Sequence, residues 1–233
     1  MNGTASVAVA VVFAGSQTVA STLADRLPGD ADVIAADSGL RVAHALGLHV
    51  DHLVGDLDSA ESDAVDAAVA SGTTVDRHPA DKDATDLELA FDAAATRGAR
   101  HVVLVDGGGD RLDHLLANLL LLASPAYASF EMEAYCGTAR ISVARGGHPP
   151  RTIEGPPDSF VTLLPVGGPA RGIVTDGLRY PLHDEDLAPG TTRGVSNELV
   201  ATSASVQLTS GTLLVVQPFA GAEEVGTHAE GVR

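Results

Sequence analysis

Two aspartates separated by one residue follow a short apolar run in the first quarter of the chain. The run is His52-Leu53-Val54-Gly55, and Asp56 and Asp58 come directly after it. In an extended chain, residues i and i+2 point to the same side, so the two carboxylates can lie next to each other. Adjacent carboxylates repel unless a cation lies between them, and Mg²⁺ commonly binds such groups together with substrate phosphates. A loop carrying two solvated acids is the alternative.

Aspartate ends two other apolar strand-like runs as well. Asp37 follows Ile34-Ala35-Ala36, and Asp106 follows Val103-Leu104-Val105. In an open parallel sheet, ligands bind in the crevice beyond the carboxyl ends of the strands. Acids present only for solubility would lie on exposed helix faces instead. The repeated position therefore predicts a cation and phosphate site at this edge of the sheet.

Several groups suited to phosphate lie near these acids in the sequence. The Gly107-Gly108-Gly109 run lets the backbone approach a ligand closely, and the helix predicted after it adds a favourable dipole. Arg111 offers a permanently charged donor. Lys82 is the only lysine of the chain, which predicts that a compact ammonium contacts a phosphate there. Neither G-x-x-x-x-G-K-[ST] nor G-x-G-x-x-G is present, so these two phosphate-binding fingerprints are excluded.

Three polar residues open the helix that follows the glycine run. His114 and Asn118 lie one turn apart on one helical face. Two interpretations stay open: Asp113 caps the helix and His114 is structural, or Asp113 binds a metal and His114 lies near phosphate. The buried side of the helix is predicted to consist of Leu115, Leu116, Leu119 and Leu120.

Short apolar strands and helices alternate up to about residue 128, which predicts an α/β domain with a mostly parallel sheet. Thr85 with Glu88 three residues later is a capping box that opens one of the helices. The predicted strands are 5–14, 32–36, 52–54, 73–75 and 101–105. The predicted helices are 18–27, 40–46, 61–71, 85–97 and a last one that ends near 123.

The chain changes character after residue 128. Residues 129–219 contain many turn residues and several strand-like runs, with no convincing helical period. We therefore expect a second domain over 129–219 that is a β-sandwich or an open barrel. The strands expected there are 130–136, 140–144, 160–165, 206–208 and 212–216. Residues 220–233, rich in Gly, Ala and Glu, are expected to be disordered.

Composition excludes several classes of partner. With 31 acidic against 14 basic residues, the 233-residue chain has a formal net charge of −17, which repels nucleic acid and anionic membranes. Such a surface suits a high-salt cytoplasm. Cys136 is the only cysteine, so no intrachain disulfide can form, and we expect it to pack rather than react. The N-terminal apolar run is too short to span a bilayer and lacks a basic flank, which indicates a cytoplasmic protein.

Five motifs in this order resemble those of the thiamin pyrophosphokinase family. They are Asp37-Ser38-Gly39, Gly55-Asp56-Leu57-Asp58-Ser59, Asp81-Lys82-Asp83-Ala84-Thr85-Asp86, Gly108-Gly109-Asp110-Arg111-Leu112-Asp113-His114 and Gly194-Val195-Ser196-Asn197-Glu198. The resemblance implies an α/β ATP-binding catalytic domain at 1–128 and a β-sandwich that binds substrate and dimerises. It implies a homodimer that transfers the β,γ-pyrophosphoryl group of ATP to the hydroxyl of thiamin and releases AMP.

The resemblance also implies roles for individual residues. Those matching the Mg²⁺–ATP acids are Asp37, Asp56, Asp58, Asp86 and Asp113. Further candidates for contact with ATP are Ser38, Lys82, Thr85, Gly108, Gly109, Arg111, His114 and Asn118. Ser196 and Asn197 match the thiamin pocket. Asp56, Asp58 and Asp113 are the catalytic candidates, and either Asp58 or Asp113 could accept the hydroxyl proton.

Some positions depart from the family pattern. Ser38 stands where a second glycine is more usual, and Asp110 interrupts a stretch that often reads Gly-Gly-Arg. Tryptophan is absent, so aromatic stacking on thiamin would have to come from Phe or Tyr. Two alternatives therefore remain: a diphosphokinase acting on a hydroxymethyl pterin, and a non-catalytic sensor of Mg²⁺–nucleotide.

Overall fold

A computed structural model describes residues 8–15, 19–57, 62–108 and 111–218. The chain forms two compact units, Met1–Gly137 and Thr138–Arg233. The predicted disordered tail at 220–233 lies outside the described residues.

The first unit is built on a parallel sheet in the strand order β6-β5-β1-β2-β3-β4. Each strand is joined to the next in sequence by a segment long enough to cross over the sheet, as parallel strands require. The strands are β1 Val9–Phe13, β2 Asp32–Ala36, β3 His52–Gly55, β4 Thr74–Arg77, β5 His101–Asp106 and β6 Glu131–Cys136. The predicted mostly parallel sheet is confirmed.

Helices connect these strands near the predicted positions. They are α1 Gly39–Ala45, α2 Ser62–Ala70, α3 Asp86–Thr96 and α4 Leu112–Leu122. Short 3₁₀ segments lie at Ser21–Arg26 and Pro125–Tyr127. The helix predicted at 18–27 is therefore, where it is described, a single 3₁₀ segment. None of the residues of Ser21–Arg26 is fully buried, so little packing supports a longer α-helix there.

The strands are apolar because helices cover both faces of the sheet. On one face, alternate strand residues such as Phe13, Leu53 and Val103 form a core cluster with residues of α1 and α2. The intervening residues, such as Val12 and Ile34, are also buried and cannot share that face, because successive strand residues point to opposite sides. Helix α3 packs against β1, β2 and β3.

Helix α4 is exposed along most of its length. Leu112, Leu116 and Leu120 are 66%, 52% and 58% exposed, and Leu122 is the helix residue that is fully buried. The prediction that Leu116 and Leu120 supply a buried side is wrong. Helical spacing identifies which leucines share a face, but not whether another part of the protein covers that face.

The boundary between the units differs from the predicted one. β6 pairs in parallel with β5 over its whole length, from His101 opposite Glu131 to Asp106 opposite Cys136. Since it belongs to the first sheet, the first unit extends to Gly137, whereas the predicted boundary follows residue 128. The run at 130–136 is thus a strand as predicted, but it is the last strand of the first unit.

The second unit contains two antiparallel sheets, in the strand orders β12-β9-β14-β7 and β11-β10-β13-β8. The buried residues of these two sheets form one core cluster, which includes Leu163 and Leu213 from one sheet and Ile173 and Val206 from the other. This is a sandwich. The strands are β7 Ala139–Arg145, β8 Arg151–Glu154, β9 Phe160–Pro165, β10 Ala170–Asp176, β11 His183–Leu187, β12 Asn197–Glu198, β13 Ser203–Gln207 and β14 Thr212–Gln217.

The sequence patterns did not predict four strands of this unit, β8, β10, β11 and β12. β11 reads His-Asp-Glu-Asp-Leu, and only Leu187 of it is buried. Such a strand lacks the apolar alternation on which the prediction depends. Among the described residues, no helix is long and apolar enough to cross a membrane.

Candidate functional site

The backbone is strained where β2 and β3 end. Asp37, directly after β2, has φ 48°, and Leu57, two residues after β3, has φ 62°. Aspartate tolerates this left-handed region, but for a large side chain such as leucine it is an outlier. Leu57 is nonetheless 7% exposed, so packing holds it there. Strain of this kind tends to cluster at functional sites, and here it flanks Asp56.

Gly55 brings three acidic positions together. Its φ is 148°, and a Cβ placed on it would lie 3.1 Å from Asp86 Oδ1 and 3.3 Å from Asp37 Cβ. The N–H of Asp37 also donates to the carbonyl of Val54 at 2.8 Å. The end of β2, the end of β3 and the start of α3 therefore meet around this glycine, because no side chain separates them.

Lys82 lies between two of these carboxylates. Its Nζ is 3.0 Å from Asp86 Oδ1 and 3.4 Å from Asp56 Oδ2. All three side chains are largely shielded, with exposed fractions of 14% for Lys82, 18% for Asp56 and 26% for Asp86. We call these three residues the Lys82 cluster. It carries one positive and two negative charges.

The charges of this cluster determine the ionisation of its lysine. Burial by itself lowers the pKa of the Lys82 ammonium, but the close contact with Asp86 and the charges of Asp86 and Asp56 outweigh it. The pKa of Lys82 is therefore raised above its ordinary value. Lys82 is a cation at neutral pH and serves as a counter-ion within the acidic site.

Helix α3 begins close to the predicted position, and Thr85 forms its half of the predicted capping box. Thr85 Oγ1 accepts from the N–H of Glu88 at 3.2 Å, and Asp86 is the first helical residue. The positive end of the helix dipole favours a negative charge at that position. The cap fixes the first turn of α3, in which Asp86 lies.

The glycine-rich turn after β5 is organised by Asp106. Asp106 is 4% exposed, and its carboxylate accepts from the N–H of Gly108 and from Nδ2 of Asn118, both at 2.9 Å. Asp106 therefore anchors the turn to α4. Gly108 and Asn118, which were predicted to contact ATP, both donate to this buried carboxylate. Gly109 and Asp110 lie outside the described residues.

Arg111 and Asp113 form an ion pair on the surface at the start of α4. Arg111 Nε is 3.0 Å from Asp113 Oδ1 and its Nη2 is 2.6 Å from Oδ2, with both side chains about two-thirds exposed, at 67% and 64%. The hydrogen bonds from Arg111 hold the pKa of Asp113 well below its usual range and raise that of Arg111. His114, next in sequence, is also exposed.

Ser38 lies close to the end of β1. A Cβ on Gly15 would lie 1.8 Å from Ser38 Oγ, so Gly15 leaves the space that the serine hydroxyl occupies. The serine that replaces the family's more usual glycine is thus accommodated by a glycine opposite. Asp58 and Ser59, central to the sequence prediction, lie outside the described residues.

The second unit contains the two residues predicted to bind thiamin. Asn197 is 4% exposed, and its amide is used within the protein: Oδ1 accepts from Tyr180 N–H at 3.0 Å, and Nδ2 donates to Tyr180 O at 2.8 Å. Ser196 is exposed, has φ 56°, and its N–H donates to Thr162 Oγ1 at 3.1 Å. Asn197 therefore fixes the loop, and the hydroxyl of Ser196 lies on the surface beside it.

No role was predicted from the sequence for Gly55, for Leu57 or for the contact between Asp106 and Asn118. A glycine directly after a buried strand is a usable signal, because glycine in a strand often marks close approach of other groups. The strained backbone of Leu57 cannot be predicted in this way, because leucine does not usually adopt a positive φ.

Both units match models of one protein family. Residues 27–134 match the model described as thiamin pyrophosphokinase, catalytic domain, and residues 151–213 match thiamin pyrophosphokinase, vitamin B1 binding domain. Among curated proteins, the thiamine pyrophosphokinase of Bacillus subtilis is 24% identical over 143 residues, which are 60% of this chain. The match spans 65% of the length of that relative.

Solved structures show the same fold. The B. subtilis thiamine pyrophosphokinase superposes with a TM-score of 0.78 at 22% identity, covering 90% of this chain and 98% of that one. The thiamin pyrophosphokinase of Geobacillus thermodenitrificans gives a TM-score of 0.75 at 26% identity, covering 90% and 96%. Yeast thiamin pyrophosphokinase gives 0.71 at 14% identity, covering 90% and 86%.

The fold and the site define a class of protein in which an α/β unit carries clustered acids at the ends of its parallel strands. A β-sandwich unit follows it in the sequence. Family models of both units cover well over half of the chain. The chain belongs to the thiamin pyrophosphokinase family.

Proposed function

We propose that this protein transfers the β,γ-pyrophosphoryl group of ATP to the hydroxyl of thiamin, giving thiamin diphosphate and AMP. The observation that carries the proposal is the Lys82 cluster at the carboxyl end of β3, in a unit that matches the family's catalytic domain. The match of residues 151–213 to the vitamin B1 binding domain favours thiamin over a hydroxymethyl pterin as acceptor.

The acids around Gly55 fit a divalent cation. Asp56 and Asp86 already hold one cation, the Lys82 ammonium, and the cluster keeps a net negative charge. Carboxylates shared with phosphate oxygens are the usual ligands of Mg²⁺. Asp37, Asp56 and Asp86 would hold the ion, which would neutralise charge on the triphosphate. Asp58 and Asp113, the other two predicted ligands, stay predictions.

Lys82 is proposed to act on the phosphates. Its ammonium is charged and lies between Asp56 and Asp86, with three donors that it can redirect without leaving the site. Attack of an alcohol on phosphorus requires charge neutralisation and in-line placement. Lys82 would supply the first by pairing with a phosphate oxygen of ATP.

The Arg111–Asp113 pair would couple phosphate binding to proton transfer. While the pair is intact, Asp113 is a weak base because its pKa is lowered. Contact of Arg111 with a phosphate would release Asp113 and restore its basicity. Asp58 stays the alternative acceptor of the thiamin proton.

Thiamin is proposed to contact the surface around Ser196. The hydroxyl of this residue is exposed, whereas the amide of Asn197 is committed to the backbone of Tyr180. Asn197 would then position the loop while Ser196 makes the contact.

A homodimer belongs to the same proposal. Leu112, Leu116 and Leu120 are exposed at intervals of one helical turn and form an apolar stripe along α4. Burial against a second copy would stabilise such a stripe. Sedimentation analysis should give a dimer for the wild type. Sedimentation as a monomer over the whole concentration range would contradict the homodimer.

Product analysis tests the reaction. Incubation with ATP, Mg²⁺ and thiamin should yield thiamin diphosphate and AMP in equal amounts, resolved by chromatography. Formation of ADP would overturn pyrophosphoryl transfer. If a hydroxymethyl pterin were turned over faster than thiamin, the pterin would be the acceptor. Tight Mg²⁺–ATP binding without turnover of either acceptor would indicate a sensor.

A further inference from the structure

A second group of metal-ligating side chains lies at the amino ends of β5 and β6. His101 is opposite Glu131 in the parallel register, and Glu133 is two residues further along β6. Partners on neighbouring strands and residues i and i+2 point to the same face of a sheet. All three side chains therefore meet at one point, at the end of β5 opposite to the end that carries Asp106.

The spacing of the three side chains suits an ion. One ligand atom from each of His101, Glu131 and Glu133 lies within 4.8 Å of the others. His101 Nε2 is 3.9 Å from Glu133 Oε1, which is too long for a hydrogen bond. Two ligands bound at about 2.0–2.2 Å from one tetrahedral zinc ion lie about 3.3–3.6 Å apart, so a shift of a few tenths of an ångström would bring these two atoms to the spacing of ligands of a shared cation.

Burial makes a bridging cation favourable. His101 Nε2 is shielded from solvent and has no hydrogen-bond partner among the described residues. A buried polar atom in that state costs about 1–3 kcal/mol. Glu133 is 7% exposed, and burying a carboxylate is costly unless its charge is compensated. A cation bound by both would give the His101 nitrogen a partner and would add to the charge compensation of the Glu133 carboxylate.

The two glutamates can serve as ligands while keeping other contacts. Both take part in further interactions. A carboxylate has two oxygens, so one can bind a cation while the other keeps an existing contact. Glu131 is exposed, so one of the three ligand side chains is in contact with solvent.

We propose that His101, Glu131 and Glu133 bind a divalent transition-metal cation of the Zn²⁺ class. One imidazole with two carboxylates favours such a cation over Mg²⁺ or Ca²⁺, which prefer oxygen ligands alone. Three protein ligands leave room for water on the metal. The ion would tie β5 to β6 and stabilise the first unit against unfolding, independently of the proposed reaction.

The test uses the full chain after chelation of metals. Zn²⁺ added in small excess should raise the melting temperature of the wild type, and Co²⁺ should give the visible absorption of a nitrogen-ligated site. The same concentration of Mg²⁺ should give neither effect. His101→Asn and Glu133→Gln should each weaken Zn²⁺ binding, measured by calorimetry, at least about 100-fold, since even outer-shell partners contribute 10–100-fold.

Controls separate this site from the acids around Gly55. His44→Asn, an exposed histidine on α1, should bind Zn²⁺ as the wild type does. Asp56→Asn should keep the cobalt spectrum. If His101→Asn or Glu133→Gln fails to fold, Glu131→Gln, which changes the exposed ligand, should still weaken Zn²⁺ binding. Wild-type affinity in His101→Asn or Glu131→Gln, or loss of the cobalt spectrum in Asp56→Asn, would overturn the assignment.

Discussion

Lys82 Nζ lies 3.0 Å from Asp86 Oδ1, and Asp86 is the first residue of α3. The only lysine of the chain is thus the counter-ion of the site acids rather than a surface group. Its second partner, Asp56 at 3.4 Å, comes from the end of β3. The ammonium therefore links the strand end to the helix start.

Lys82→Gln is expected to lower turnover at least about tenfold, because it removes the positive charge that neutralises phosphate. Lys82→Arg keeps the charge but replaces a compact ammonium with a planar fork, so it should also lower turnover. Steady-state kinetics with ATP and thiamin measure both. The matched control is Arg171→Gln, which breaks an exposed ion pair with Asp186. Unchanged nucleotide affinity and turnover in Lys82→Arg would argue against phosphate contact.

Asp56→Asn and Asp86→Asn are each expected to cut turnover by at least about 100-fold while the fold survives. Both substitutions keep the shape of the side chain and remove a charge that would hold the cation. Kinetics at several Mg²⁺ concentrations, with circular dichroism as the check on folding, measure the effect. Asp186→Asn removes an exposed carboxylate of the second unit and serves as control. A variant with near-normal activity would remove that residue from the site.

The sheet of the first unit was predictable because it is buried on both faces. Strands such as β5 are apolar almost throughout, and that pattern is visible in sequence. β11 was missed because most of its side chains are polar and exposed. The exposure of Leu116 and Leu120 on α4 was missed for another reason: an apolar helical face looks the same whether or not it is covered.

The acids of the site were predictable because they end buried strands, and both Asp37 and Asp56 lie where that argument places them. The partners of individual side chains were not predictable. Lys82 was expected to contact phosphate, and in the structure it contacts Asp56 and Asp86. Such pairings depend on distances across the fold, which residue types and spacing do not contain.

Gly55→Ala is expected to impair the site. The added Cβ would lie 3.1 Å from Asp86 Oδ1, and φ 148° is unfavourable for any residue but glycine, at a cost of about 1–3 kcal/mol. Turnover and the free energy of unfolding should both fall. Gly29→Ala is the control, since its Cβ would have nothing within 4 Å. If the two variants had the same turnover and the same free energy of unfolding, the acids around Gly55 would be able to move away from the added Cβ, and the prediction would be wrong.

Cys136 is expected to resist alkylation at neutral pH. Burial, with a smaller effect from the charge of Asp106, raises the pKa of its thiol to about 11. At pH 8 iodoacetamide should react on the order of 100-fold more slowly than with an exposed thiol of pKa about 8.5. Mass spectrometry across pH 7–11, in about half-unit steps, follows the rate.

The same shift has a consequence for stability. The thiol of Cys136 holds its proton more tightly in the folded protein than in the unfolded one. Its contribution to the free energy of unfolding is therefore complete at pH values below the pKa of the thiol in the unfolded chain. That contribution is lost as the pH rises toward about 11.

For the alkylation experiment, the control is the protein unfolded in denaturant. The pH dependence of its alkylation rate should have a midpoint at about 8.5. A midpoint near that value in the folded protein would contradict the prediction.

Asn118→Ala is expected to lower the free energy of unfolding by about 1–3 kcal/mol. The substitution removes the 2.9 Å hydrogen bond to Asp106, whose carboxylate is 4% exposed and would be left with fewer donors. Denaturant unfolding measures the change. His114→Ala, an exposed residue one turn earlier on α4, should change stability by no more than about 0.5 kcal/mol. Asn118→Asp should be worse than Asn118→Ala, because it would place a second carboxylate against Asp106. If Asn118→Ala instead weakens ATP binding at unchanged stability, then Asn118 contacts the nucleotide, and the anchoring of the glycine turn does not depend on it.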